Sequence, residues 1–327
     1  MKSLILGGLI FMSAAITSTV HSEVPIKVGL IGLDTSHAPA FARLLNDKND
    51  PHYFSDAFVV CAYPGGSPDV KASYTRVDQF TAVVEQQYGV KIVDSIQALL
   101  KEVDAVILTS VDGRVHLEQA RPVIQSQKPI FIDKPLAASY EDAKAVFELA
   151  QKHNTPCFSS SSLRFLQELK EALADTMPGE ITGCDVFSPC PLEPHHPDLF
   201  WYGIHGVELL FTVLGPDCIS VRRTHEEETD IVTGIWKDGR IGNFRGIRKG
   251  KGGYGAVLYG EKEIRMIQYK SGPLYVNLMQ EIIAFFKTGV PPVPPEETLA
   301  MFKFMTAADK SKQAGGQAID IRTPKID

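Results

Sequence analysis

The sequence predicts an α/β protein in two parts: an N-terminal parallel sheet wound with helices, then an α+β domain on a largely antiparallel open sheet. Three observations predict it. Strand-like and helix-like runs alternate from Ile26 to His153, as they must when crossover helices cover both faces of a parallel sheet. After Asn154 the runs become mostly β-type and are set apart by glycine turns, which suits antiparallel pairing. The apolar run Pro129-Ile130-Phe131-Ile132 closes on Asp133-Lys134-Pro135. That places a lysine at the carboxyl end of a parallel strand, where open α/β sheets bind ligands.

Each element has a local reason. Residues 26–32 form an apolar run that stops at glycine, and 39–45 have helical spacing with Thr35 or Ser36 as the cap. A second apolar strand, 58–62, runs into Pro64-Gly65-Gly66-Ser67-Pro68, a turn-rich loop. Residues 74–88 read as one helix, 91–93 as a short strand and 96–101 as a helix capped by Ser95. A strand at 105–109 precedes a helix at 116–125, and Ser139 caps a long amphipathic helix at 140–153. A further strand, 157–159, leads to a helix at 165–176. The later β-runs are 181–187, 219–224, 230–236, 241–246, 255–260 and 263–268, interrupted by a helix at 206–214 and closed by helices at 278–287 and 296–313. The expected organisation is an export segment at 1–22, a nucleotide-binding domain at 24–154 and a substrate and assembly domain at 155–327.

Composition narrows the function. The chain has 327 residues, 44% apolar and 22% charged, with a net charge of -6; this is ordinary for a globular protein with real cores. It carries no basic cluster beyond 245–251, which argues against nucleic acid as a partner. Lys2, the apolar stretch 4–20 and Val20-His21-Ser22 form a secretory signal pattern, too short and mixed for a membrane span of about 20 residues. Export to the periplasm or cell exterior is therefore expected, with no span in the mature chain. The five cysteines form no C-x-x-C pair; Cys184 and Cys190 pair across a turn or all five stay reduced and buried.

Several residues are placed to do chemistry. Gly32-Leu33-Asp34-Thr35-Ser36-His37 stands where a dinucleotide fingerprint would open a helix. Only its first glycine is present. Asp34 in the second place would repel a pyrophosphate unless His37 or another cation compensates; otherwise Asp34, Thr35 and Ser36 only cap the helix. The second strand ends without the carboxylate that commonly binds an adenosine ribose, leaving Ser67 and Asp69 as weak substitutes. After the fourth strand, Ser110 and His116 could reach a cofactor, although a histidine at a helix start often serves as a cap. His195-His196 and Asp198, with His205, raise a metal site; adjacent rings in an extended chain diverge, so a loop at the substrate mouth is preferred and no metal is expected. Arg245, Arg248, Lys249 and Lys251 form either an acidic-sugar contact or a solvated hairpin.

The strand start Lys27-Val28-Gly29-Leu30-Ile31-Gly32, the strand end with His116, Asp133-Lys134-Pro135-Leu136, residues 158–165 and Gly203-Ile204-His205 followed by a helix occur in one order. In this the chain resembles the Gfo/Idh/MocA family, the glucose–fructose oxidoreductase and inositol dehydrogenase type, over nearly all of its mature length. The resemblance implies a Rossmann domain binding NAD or NADP, a sugar or polyol substrate, and assembly into a homo-oligomer through the C-terminal sheet. It implies that Lys134 hydrogen-bonds the reacting hydroxyl or the nicotinamide ribose, with Asp133 beside it. It also implies that His205 takes the hydroxyl proton as hydride leaves, and that Arg164 lies among substrate contacts. One departure stands out: many members carry an Asp four residues before this histidine, and here that place is Trp201, followed by Tyr202. An aromatic wall can still stack on a sugar, with Tyr202, Glu208 or Asp198 as the acid–base partner. Two readings follow: an exported oxidoreductase whose cofactor is tightly bound and internally recycled, or a carbohydrate-binding or regulatory protein of the same fold that has lost redox activity.

Overall fold

The computed structural model describes residues 24–322, so the expected export segment lies outside the described residues. Six strands form the first sheet: β1 (Ile26–Ile31), β2 (Ala57–Tyr63), β3 (Lys91–Ile92), β4 (Ala105–Leu108), β5 (Ile130–Asp133) and β6 (Cys157–Ser160). Their order is β3-β2-β1-β4-β5-β6 and every pairing is parallel. Strands β4 and β5 are buried along their whole length, as continuous apolar runs between two helical layers should be. The order reverses between β1 and β4, and a crevice opens at the carboxyl ends of strands there.

The second sheet has seven strands: β7 (Ile181–Pro189), β8 (Cys218–Glu226), β9 (Thr229–Trp236), β10 (Ile241–Ile247), β11 (Gly255–Gly260), β12 (Ile264–Gln268) and β13 (Ile319–Asp320). They lie in the order β12-β11-β7-β10-β9-β8-β13. All neighbours are antiparallel except β7 and β10, which the helix Ile204–Leu214 and two intervening strands allow to run parallel. The helices Ile204–Leu214 and Pro295–Gln313 cover one face, where Phe211, Trp236, Phe244 and Phe304 pack together. The alternating burial along β9 and β10 leaves the other face open.

Two local details position the site. The helical spacing at 74–88 breaks into Lys71–Tyr74 and Val77–Tyr88, because Thr75 turns its hydroxyl back onto the Lys71 carbonyl. Arg76 stands in the break. The helix Leu274–Thr288 leaves the second domain and packs its Leu278, Met279, Ile282 and Phe285 against Phe41 and Phe158 of the first. It thereby brings Tyr275 to the helix His37–Asn46. All five cysteines are free and buried, so Cys184 and Cys190 do not pair.

Candidate active site

Lys134 directly follows β5 and sits at the junction of the domains. Its backbone N–H donates to Asp133 Oδ1 at 2.8 Å, while Asp133 Oδ2 accepts from His37 Nδ1. The carboxylate thus spans the start of the first helix and the lysine turn. Burial opposes its charge, and the His37 ring and Lys134 more than offset that, so the Asp133 carboxyl titrates below its ordinary range. The Lys134 ammonium has no hydrogen bond or ion pair among the described residues. It lies 5.3 Å from the centroid of the Tyr202 ring, a cation–π contact from the other domain. Burial pushes its pKa down, Asp133 resists that and Arg76 adds to it.

His205 occupies the first turn of the helix Ile204–Leu214, whose other residues pack under β7 and β10. Its Nδ1 is 2.7 Å from Ser161 Oγ, which fixes the ring. The Tyr202 ring stands edge-on to it, with centroids 4.9 Å apart, and the Tyr202 hydroxyl is 3.1 Å from that of Tyr254. Burial first, then the charges of Lys134 and His37, hold His205 well below the ordinary imidazole range. A neutral ring with Nδ1 occupied leaves Nε2 as a base. Lys134 and His205 therefore face one site from two domains, with Tyr202 between them.

The fingerprint segment is shaped by its substitutions. Gly32 has φ +86, and a Cβ there would come within 2.3 Å of the Ser110 backbone nitrogen; only glycine permits this approach. Asp34 is fully buried and faces inward, not toward the crevice. It accepts from Ser73 Oγ at 2.6 Å and from the Val111 N–H at 2.9 Å, and burial raises its pKa. Leu33 donates its N–H to the Pro64 carbonyl at 2.7 Å. The N–H groups of Thr35 and Ser36 have no protein partner among the described residues and head a helix of ten residues. Such a terminus attracts anions. Ser36 stands at the cap position without a side-chain cap bond.

Other expected site residues are committed elsewhere. Glu208 accepts from Ser160 Oγ at 2.6 Å, from the Ser161 N–H at 2.7 Å and from Arg164 Nε at 2.8 Å. Arg164 also pairs with Glu297 at 2.7 Å. Both are buried beneath the site, where they hold Ser161 and through it His205. His116 has Nε2 at 2.8 Å from the Ser110 carbonyl and Nδ1 near that of Leu136, so it clamps two strand-end loops together. Ser110 Oγ donates to Gln119 at 2.7 Å. Trp201 packs on His196, with centroids 5.2 Å apart, and Asp198 pairs with Arg223 and Lys312. Asp69 and Asp112 share Arg114, at 2.7 and 2.8 Å. Arg248 and Lys249 pair with Asp230 and Glu228 on the hairpin. No group of three or more metal-ligating side chains converges among the described residues.

Sequence reasoning missed three contributors. Arg76 lies within electrostatic reach of both Lys134 and Asp34, and the unbroken helical spacing around it hid the break that exposes it. Tyr254 and Tyr275 come from glycine-flanked and helical segments with no motif of their own. Tyr275 packs on His37 with centroids 4.7 Å apart, and burial pushes its hydroxyl up to about 12.

Comparison with known proteins bears on the fold. Residues 26–161 match the family model described as an oxidoreductase family with an NAD-binding Rossmann fold, Gfo/Idh/MocA. An uncharacterised oxidoreductase of Streptococcus pneumoniae is 24% identical over 159 residues, 46% of this chain and 43% of the relative, so the chain matches less than half of that relative's length. The solved myo-inositol 2-dehydrogenase of Lactobacillus plantarum superposes with a TM-score of 0.76 at 15% identity, covering 91% of this chain and 100% of the other. The myo-inositol dehydrogenase of Lactobacillus casei, solved with NAD(H) and myo-inositol, gives 0.72 at 19% identity, covering 93% and 99%. These structures share the fold across both domains. Residues 26–161 thus match the NAD-binding Rossmann domain of the Gfo/Idh/MocA oxidoreductase family, and the solved structures share the fold of the whole.

Proposed function

We propose that the chain is an NAD(P)-dependent oxidoreductase that oxidises a hydroxyl of a sugar or polyol held between its two domains. The observation that carries this is the convergence of Lys134 and His205 on one site across the domain junction. The residues present fit a dinucleotide at two of three positions. The unpartnered N–H groups of Thr35 and Ser36 suit its phosphates, and Lys134 suits its nicotinamide ribose. At the adenosine end no free carboxylate stands at the close of β2, and Asp69 is tied to Arg114.

A bound nicotinamide would supply the hydride acceptor. The chain's residues do the rest. Lys134 donates a hydrogen bond to the reacting oxygen and stabilises negative charge that develops there. His205 Nε2 removes the hydroxyl proton, and Ser161 keeps the ring in the orientation this needs. Tyr202 and Tyr254 form a wall that excludes water and offers hydroxyls to the substrate. The neutral state of His205, favoured by burial, makes it a base at neutral pH and below.

Export by residues 1–22 belongs to the same proposal. Free nicotinamide nucleotide is scarce outside the cytoplasm, so the cofactor is retained and recycled within the site. Assembly through the open face of the second sheet is also proposed; Ile241 and Met266 are 50% and 83% exposed there. A second reading, a sugar-binding protein without redox chemistry, draws on Asp34 in place of the second fingerprint glycine. Fluorescence titration of the purified chain with NADH and NADPH separates the two. Saturable binding of either supports the oxidoreductase, and binding of neither supports the second reading.

A further inference from the structure

The crevice at the carboxyl ends of β1 and β4 is bridged by the chain itself. The turn that follows β2, Pro64-Gly65-Gly66-Ser67-Pro68-Asp69, is bonded to both of its banks. On the β1 side, the Pro64 carbonyl accepts from the Leu33 N–H at 2.7 Å. The Ser67 N–H donates to Ser73 Oγ at 2.7 Å, and Ser73 Oγ donates to Asp34 Oδ2 at 2.6 Å. On the β4 side, Ser67 Oγ donates to Asp112 Oδ2 at 2.7 Å, and Asp69 shares Arg114 with Asp112. Ser67, Ser73, Asp34 and Asp112 are all buried, so water does not reach these bonds freely. Gly65 sits between the banks. A Cβ there would lie 3.5 Å from the Gly32 Cα and 3.6 Å from Ser110 Oγ, so the turn rests on the ends of β1 and β4. Ligands of open α/β sheets enter at this reversal of strand order, and the bridge stands in their way.

The turn is built to move. Gly65 and Gly66 have φ +63 and +109, and glycine crosses between such conformations and ordinary ones without steric cost. From residue 64 to 69 no aliphatic or aromatic side chain anchors the turn. Hydrogen bonds and one ion pair hold it, while buried Val70 fixes its far end. Segments with so little apolar burial open at low free energy. Asp34, which takes the second glycine's place in the fingerprint, thereby gains a role: through Ser73 it fastens the bridge.

We infer that residues 64–69 form a latch over the cofactor crevice, which must part from Leu33 and Asp112 to admit the dinucleotide and which limits both its entry and its release. This rests on the proposed oxidoreductase reading for the identity of the ligand, and it gives the retained cofactor of that reading a structural cause.

Hydrogen exchange on the full chain tests the latch without ligand. The amides at 33 and 67 should exchange together, about tenfold or more faster than the strand amides of β1 and β4. Ser67→Ala removes one bond to a buried carboxylate and should speed both amides about tenfold. Gly65→Ala places a Cβ in the left-handed region and should act in the same direction. Exchange of both amides only with the strands, unchanged in either variant, would overturn the latch. Stopped-flow fluorescence with NADH tests its gating. Association in the parent should level off with rising NADH as opening becomes limiting, and both variants should raise the association and release rates about tenfold. Rates identical in the parent and both variants would overturn the inference. Failure of the parent and variants alike to bind NADH or NADPH, with the amides behaving as expected, counts against the oxidoreductase reading and leaves the latch standing over another ligand's crevice.

Discussion

The charges around Lys134 and those around Arg223 lie in one molecule and are satisfied to very different degrees. Arg223 has no exposed side-chain surface, and each guanidinium nitrogen has a carboxylate: Asp230 at 2.9 Å, Asp309 at 2.7 Å and Asp198 at 2.9 Å. His225 and Arg248 complete Asp230, and Lys312 completes Asp198. This network ties β8 and β9 to the helix Pro295–Gln313 and to Asp198, which begins the turn leading to Trp201 and Tyr202. Around Lys134 the opposite holds: an ammonium against an aromatic face, a base with one nitrogen engaged, and two backbone N–H groups without partners. Charges paired within the chain build its architecture, and those left open mark where a ligand is to act.

Breaking the closed cluster should cost the most stability. Arg223→Met leaves three carboxylates without their shared cation and should destabilise the fold by about 3–5 kcal/mol, read as a lowered midpoint in urea. The open cluster should answer in the reverse sense. Lys134→Met should cut turnover by about 100-fold or more, yet its melting temperature should match or exceed that of the parent, because an unpaired buried charge has gone. A large loss of stability in Lys134→Met would mean that the ammonium has a structural role.

A smaller effect sharpens the role of Ser161. Ser161→Ala should lower kcat by about tenfold, on the order of one hydrogen bond, with cofactor affinity unchanged. The smallest effect is on pH dependence. Burial lowers His196 to about 4, while the unfolded chain titrates this group near ~6.5. Between these values the unfolded state binds more protons, so this group makes stability rise with pH and contributes fully above that window. His196→Phe should flatten the slope of melting temperature against pH there. Asp309, raised to about 6 by burial, acts in the other direction: its contribution is full below the ordinary carboxylate range and is lost as pH rises through about 6. Asp309→Asn should therefore steepen the rise across the same window.

The strands and helices were legible because periodicity and caps are local. The helix Tyr140–His153 follows from Ser139, whose hydroxyl accepts the Asp142 N–H, and from Asn154 in the left-handed conformation at its end. Lys134 was singled out by its place at a strand end, His205 only by the family resemblance. What the chain order could not reveal was the direction of the polar side chains. Glu208 lies one turn from His205, yet it turns to Ser161 and Arg164 because a buried carboxylate goes where donors are. Asp34 sits in the fingerprint, yet it faces away from the crevice because Ser73 and the Val111 N–H lie inside. Tyr275 reaches His37 on a returning helix, and Arg76 stands in a helix break, both products of tertiary packing.

The double variant Lys134→Met with His205→Ala tests most directly whether these two groups act on one oxygen. Groups that act as a unit are strongly non-additive, so kcat/KM of the double variant should equal that of the more damaged single variant, measured on the same substrate with saturating cofactor. Losses that multiply would contradict a shared site.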